Sequence, residues 1–492
     1  MPELKTHGKG LTISSSKTVD TDQTSGAMSR EERWQKGKLL STQIPWVSHA
    51  HLEHSRGSQD AIRLIQENDK GRLSFLLPIK YGRMAVSPLG FLRGSAITMA
   101  ADLSRTPVSG IKAMLCGDAH LFNFGIFASP ERRLIFDVND FDECYVGPWE
   151  WDVKRLAVSA VLAGKQKGLE TRDNRKLAKR VAKKYRKAIT MFASMPTLDV
   201  WYHTIIAKDF VNSFSPSRKE LEIMKRTLSK ARTRTEEQTL QNLTEVRSGQ
   251  RKFVDSAPLT LRLEDLLKSD LLTETEKVTV SKSDPEKAWL EYCRSLSADK
   301  RQLLDRYHFV DDALRVVGVG SVGTRCFISL LEANSPDDAI ILQQKEAGPS
   351  VLERYLPAGE FEYHAERVVT GQRLMQSASD IFLGWSHSPD TVDREYYWRQ
   401  LKDLKGSIEI SLLNKEGLEN YLEFCSICLA LGHARSGDPV EIAGYLDGGS
   451  LFDEAVADFS VAYAKWTEDN YREFLDEIKE GSIDALMPQD SQ

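Results

Sequence analysis

The stretch CGDAHLFNFG, residues 116–125, sets Asp118, His120 and Asn123 within six positions. Phosphoryl transfer asks for a carboxylate that positions or deprotonates an acceptor hydroxyl, and for hard oxygen ligands to magnesium. Downstream, RLIFDVNDFDE (133–143) reads as a short apolar strand running into Asp137, Asp140 and Asp142. Carboxylates gathered at the end of one strand repel unless a cation or hydrogen-bond donors compensate. Capping and turn roles are the alternative for each of them.

A second group lies about 200 residues later. GVGSVG (318–323) fits G-x-G-x-x-G, with Gly318, Gly320, Ser321 and Gly323 as the positions that would let backbone amides approach phosphate oxygens. Dinucleotide-binding folds and protein kinases share this pattern, and the element after the glycines separates them: a helix in the first, a strand in the second. Here the next residues are TRCFISLLEA, β-branched and aromatic, which predicts a strand and not a helix. Lys345 stands 22 residues beyond Gly323 at the end of AIILQQK, where a third strand would bring its ammonium under the loop. In the helical pattern after it, Glu360, Glu362 and Glu366 could each orient the lysine, and Glu366, on the same helical face as Glu362, is expected in that role. Ordinary surface charge is the competing reading, since exposed helix glutamates are common.

With both groups in view, GDAHLFN resembles the G-D-x-H-x-x-N catalytic loop of aminoglycoside and choline phosphotransferases, a branch of the protein-kinase-like fold. That resemblance implies Asp118 as catalytic base and Asn123 and Asp140 as magnesium ligands, with Asp142 as a further contact. It also implies His120 as the residue that orders the loop, and Asp152 as the brace that holds it. Cys116 stands where that branch usually has histidine. Asn123 and Asp140 are 17 residues apart, more than the usual hairpin, so Asp137 fits that interval better; Asp140 to Asp152 is twelve, which fits Asp140. ATP and magnesium are the implied cofactors. Because the glycine loop and lysine come after the catalytic loop, the expected α+β two-lobe fold would be circularly permuted, with a mainly helical large lobe and a small antiparallel-sheet lobe.

The elements that must carry these residues fall into six segments. Residues 1–28 are polar and Ser/Thr-rich and read as a disordered tail. Residues 29–213 form the large lobe with the catalytic loop, and 214–304, charged and irregular in period, read as a helical insertion. The small nucleotide-binding lobe covers 305–412, closing helices of the large lobe 413–480, and a tail 481–492. Within these, SPLGFLRGSAITMAADLS reads as a loop feeding a helix, about 358–379 as one long helix, and DIFLGW and REYYWRQL as strands. RDNRKLAKRVAKKYRKAITMFA is a helix whose basic outer face reads as solvated surface, since no aromatic residues interleave with the charges.

A net charge of −5 over 492 residues argues against a nucleic-acid partner, and no apolar run long enough for a membrane span or signal peptide is seen. A cytoplasmic location is expected. Six scattered cysteines without a secretory signal are expected to be reduced, and Cys425 and Cys428 to serve core packing. Arg83 and Arg93, flanking SPLGF, could reach an anionic substrate. His433 and Arg435 in GHARSGD could line a pocket, with bracing as the alternative for all four. From about residue 40 to 475 the chain is similar to the domain of unknown function 2252 family, on stretches such as YGRMAVSPLGFLRG, GPWEWDVKRLA, GQRLMQSASDIFLGW and YYWRQLKDLKGS. That family supplies no substrate. The expectation is a phosphotransferase acting on a hydroxyl of a small metabolite; nucleotidyl (AMP) transfer to protein and a non-catalytic nucleotide-binding scaffold are the rivals.

Overall fold

The computed structural model describes residues 28–52, 58–208, 222, 226, 229, 236–281, 285–388, 394–401, 406 and 408–488. The expected N-terminal tail thus lies outside the described residues apart from Met28, as do 209–213 of the expected large lobe, most of 214–235 in the expected insertion and 489–492 of the C-terminal tail.

The molecule is mixed α+β. Its strands are β1 (Lys112–Leu115), β2 (Phe124–Ala128), β3 (Leu134–Val138), β4 (Tyr145–Pro148), β5 (Thr244–Arg247), β6 (Gln250–Phe253), β7 (Thr260–Arg262), β8 (His308–Arg315), β9 (Cys326–Glu332), β10 (Ala339–Ala347), β11 (Gly384–Ser388) and β12 (Arg394–Gln400). One antiparallel sheet runs in the order β11-β12-β10-β9-β8-β7. β9 and the first half of β10 read as apolar runs because both faces are covered there. Phe327, Leu331, Ile340 and Leu342 join one buried cluster with Tyr292 and Trp398. The alternate residues Ile328, Leu330, Ala339 and Ile341 join another with Leu240 and Phe253.

The largest core is helical. Helices Glu150–Gln166, Thr171–Ser194, Lys415–Ser436 and Ser450–Lys479 pack on one another. Thr171–Ser194 turns Leu177, Val181, Tyr185, Ile189 and Phe192 inward, the spacing of one helix face. Its basic face is less solvent-bound than the sequence suggests: Arg180 pairs with Glu419 and Glu423, Lys179 with Glu454 and Arg186 with Asp453, acids on the two C-terminal helices. Cys425 and Cys428 are fully buried in this core, and burial pushes both thiols up, away from the reactive thiolate.

Three expectations about elements need correction. The 214–304 segment is not purely helical: its described part carries β5, β6 and β7, and β7 forms an edge of the main sheet. These strands are three or four residues long and polar on their exposed faces, so no alternation shows in the sequence. The helix expected over 358–379 is confined to His364–Met375. DIFLGW opens as a turn, where Asp380 accepts from the Phe382 amide at 2.7 Å, and β11 begins only at Gly384. Among the described residues no helix is long and apolar enough to cross a membrane.

Candidate active site

β1 ends at Leu115 and the chain turns through Gly117, whose φ of +78° belongs to the left-handed region. A Cβ there would fall 2.0 Å from the carbonyl oxygen of Glu143, so the turn is pressed directly onto the acidic segment. Asp152, buried at the start of helix Glu150–Gln166, accepts from the Cys116 amide at 2.8 Å and the Gly117 amide at 3.1 Å. It fixes this turn from beneath and works as a brace, not as a group that meets substrate. His433 stands 3.4 Å from the same carboxylate and shares a 2.8 Å hydrogen bond with the Tyr185 hydroxyl. It is wholly buried, so its place is behind the brace, not in a pocket.

Asp118 comes next in the chain. One turn of helix beyond Asp152, Arg155 engages Asp118 Oδ1 through Nε at 2.6 Å and an Nη at 2.5 Å, leaving Oδ2 outside that clamp. His120 Nε2 lies 3.5 Å from Oδ2, while its Nδ1 accepts from the Phe122 amide at 3.1 Å, which puts the ring proton on Nε2. Burial lowers His120 to about 4, so the imidazole is neutral at pH 7 and orients Asp118 as a hydrogen-bond donor.

Asn123 spends its Nδ2 on the carbonyls of Asp118 at 3.2 Å and Asp140 at 3.0 Å, tying the 116–125 stretch to the acidic segment. Its Oδ1 is buried with no hydrogen-bond partner among the described residues. A buried acceptor left without a donor costs about 1–3 kcal/mol, which a cation would relieve. Asp140, about half exposed, lines the same cleft. An amide oxygen and a carboxylate are hard donors of the kind magnesium takes alongside substrate phosphates, so the residues fit that ion. Among the described residues no three His, Cys, Asp or Glu side chains gather into a metal cage, so the remaining ligands would have to come from substrate or water.

β3 and β10 bring the acids and the lysine face to face. Lys345, 2% exposed, lies 2.5 Å from Asp142 and 3.5 Å from Asp140, with its ammonium 5.4 Å from the centre of the Tyr397 ring. Burial alone would favour the neutral amine, but Asp140 and Asp142 outweigh it and hold Lys345 well above its ordinary range. Tyr397 also donates to Asp142 at 2.6 Å. Asp142 is therefore occupied by the lysine and the tyrosine, while Asp140 keeps the more open position. Asp137 faces away from the cleft and accepts from the Ser377 amide at 2.9 Å and hydroxyl at 2.8 Å. Glu366 does not pair with Lys345, and neither does Glu360 or Glu362; the lysine draws its counter-charges from across the cleft. The helix His364–Met375 contributes Arg367 instead, buried, which donates to the carbonyls of Asp142 at 3.1 Å, Gly348 at 2.9 Å and also Cys144.

The glycine turn joins antiparallel β8 and β9, as its sequence predicts. Gly318 and Gly323 take φ of +70° and +94°. Arginines from the N-terminal part of the chain hold its carbonyls: Arg72, in a loop, donates to Gly320 at 2.6 Å and Val322 at 2.7 Å, and Arg83, on helix Leu77–Met84, to Gly318 at 2.5 Å. Arg83 thus serves the turn, while Arg93 lines the cleft. Arg435 reaches the carbonyls of Leu374 and Trp201 and stacks over the Trp201 ring at 4.2 Å; like His433, it is a brace and not a substrate residue.

Two adjoining cavities of about 770 and 410 Å³ meet at Asn139, Asp140, Gly318, Ser321 and Arg399. The larger takes in Asp118, His120, Asn123 and Gly320, and the smaller takes in Lys345 with the apolar residues Val317, Ile381 and Leu401. Sequence reasoning misses Arg155, Tyr397 and Arg399. Arg155 has a signal, standing three residues after Asp152 on one helix face. Arg399 and Tyr397 have none beyond lying on a strand that happens to pair with the lysine strand.

The fold and site define a mixed α+β protein with a charged cleft between a helical body and an antiparallel sheet. The chain belongs to the family described as "uncharacterized protein conserved in bacteria" (DUF2252), whose model matches residues 72–477. No curated protein and no solved structure matches the chain.

Proposed function

We propose that this protein is an ATP- and magnesium-dependent phosphotransferase acting on a hydroxyl of a small metabolite, built as a circularly permuted kinase-like two-lobe fold. The observation that carries this reading is the meeting of Lys345 with Asp140 and Asp142 beside a glycine turn that joins antiparallel strands. A structural ion pair needs one acid and no glycine turn; phosphoryl transfer needs the cation, the acids and the turn together. The smaller cavity suits a nucleobase, with apolar walls and Gln372, whose buried Oε1 has no donor among the described residues and would accept from an amino group.

In this reading Lys345 and the glycine-turn amides hold the nucleotide phosphates. Asn123 and Asp140 hold magnesium, which supplies charge neutralisation on the phosphate oxygens when bound. Asp118 Oδ2 accepts the hydroxyl proton as the acceptor oxygen bonds to the γ-phosphorus and the bond to the departing ADP oxygen breaks. Arg155 and neutral His120 keep that carboxylate in one orientation.

Asp118→Asn tests this. ATP turnover, measured as ADP release, is expected to fall at least a hundredfold while thermal stabilisation by Mg–ATP persists. Unchanged turnover would remove Asp118 from the chemistry. Intact-mass measurement of the products separates phosphoryl from adenylyl transfer.

A further inference from the structure

Arg93 lies in the last turn of the helix Pro88–Gly94 and touches the two halves of the cleft at once. Its carbonyl oxygen lies 3.3 Å from where a Cβ on Gly320 would sit, so its backbone abuts the tip of the glycine turn. Its guanidinium lies 4.6 Å from the centre of the Phe122 ring, a side chain 39% exposed between His120 and Asn123. Yet Arg93 pairs with no carboxylate among the described residues, and its Nε is buried without a partner. Arg83, close enough for the two cations to disfavour one another, gives a hydrogen bond to the Gly318 carbonyl and likewise has no acid partner among the described residues. Two neighbouring guanidiniums, partly desolvated and opposed by the Asp118 carboxylate only without direct contact, are costly unless an anion joins them.

The nucleotide phosphates have other cations. Lys345 lines the smaller cavity and Arg399 both, whereas Arg93 lines only the larger, with Asp118, His120 and Phe122. Resting on the phosphotransferase reading above, we propose that Arg93, backed by Arg83, is an anion-binding position on the acceptor side of the cleft. The acceptor is then a small molecule that carries a carboxylate or phosphate monoester as well as the hydroxyl offered to Asp118. This is the opposite charge from an aminoglycoside or choline, and Arg is the side chain whose planar fork matches either anion.

The test uses the full chain, with glycerate and glycerol 3-phosphate as anionic probes and glycerol as the neutral control, read by thermal unfolding with and without Mg–ATP. At least one anionic probe is expected to raise the unfolding midpoint, glycerol not, and the larger of the two anionic responses identifies the group. Arg93→Gln is expected to weaken the apparent affinity for that probe tenfold or more, Arg93→Lys to restore part of it, and neither to change Mg–ATP affinity. If Arg93→Gln fails to fold, Arg93→Lys carries the comparison, weakening the probe and not the nucleotide. Response to neither anion, equal response to glycerol, or parallel loss of Mg–ATP and probe affinity overturns the proposal. Arg93-dependent anion binding in a protein that does not bind Mg–ATP would sink the phosphotransferase reading and leave the anion position standing.

Discussion

Replacing Lys345 with methionine keeps the apolar stem and deletes the charge between Asp140 and Asp142. At 2.5 Å from Asp142 the ion pair is worth about 7 kcal/mol at an effective dielectric constant near 20, offset by several kcal/mol for desolvating the ammonium. Asp140, 3.5 Å away, adds to this attraction, reduced by solvent screening because its carboxylate is half exposed. Removing one partner of such a pair typically costs about 3–5 kcal/mol, and that is the deficit expected at pH 8. The dependence on pH has a definite sign. In the variant Asp142 remains beside a like charge with no ammonium, so its folded-state affinity for a proton rises above that of the unfolded chain, near 3.9. The folded variant keeps a proton that the unfolded chain releases, so the deficit is full at high pH and shrinks as pH falls toward 4. Urea denaturation of wild type and Lys345→Met at pH 8 and pH 5 measures both values, and Mg–ATP is expected to stabilise only the wild type. Equal stability at pH 8, or a deficit that grows as pH falls, would refute the electrostatic account of this cleft.

Two more substitutions probe the turn and the histidine beside it. Gly117→Ala forces a Cβ to 2.0 Å from the Glu143 carbonyl at a φ of +78°, so a loss of at least about 3 kcal/mol and of turnover is expected; Gly110→Ala, at φ +86° with nothing within 4 Å, is the control and should cost about 1 kcal/mol in the same unfolding assay. Because burial holds His120 near 4 against its ordinary 6.5, the unfolded chain binds the proton first as pH drops, and stability falls between those values by about 3 kcal/mol. His120→Gln should lack this component, and a wild-type-minus-variant stability difference that stays flat from pH 7 to pH 4 would show that His120 is not held neutral.

The parts of the fold legible in the sequence are those whose periodicity is local. Helix Thr171–Ser194 shows its buried stripe in its own residues, and the run from Leu314 to Ala347 shows its strands because both faces of β9 and of the first half of β10 are apolar. Asp118, Asn123, Asp140 and Lys345 are legible because residue type and interval constrain them, and the structure brings all four to the walls of the adjoining cavities. Glu366 is the wrong counter-charge for Lys345 because a nearby helix is the visible source of acids, while the acids the lysine meets are 203 and 205 residues away in the chain. His433 and Arg435 mislead for a related reason. A cluster of polar residues at a helix end looks like a pocket until the partners that consume it, Asp152 and Tyr185 for one and backbone carbonyls for the other, are known.

The same separation has a consequence during synthesis. On a ribosome adding about 5–20 residues per second, the 203 residues between Asp142 and Lys345 take roughly 10–40 s to emerge. Through that interval the newly made acidic segment exists without the lysine that later sits against it. The Asp140 and Asp142 carboxylates therefore repel one another until β10 is made, and the helical core behind them closes later still, when Lys415–Ser436 and Ser450–Lys479 have followed.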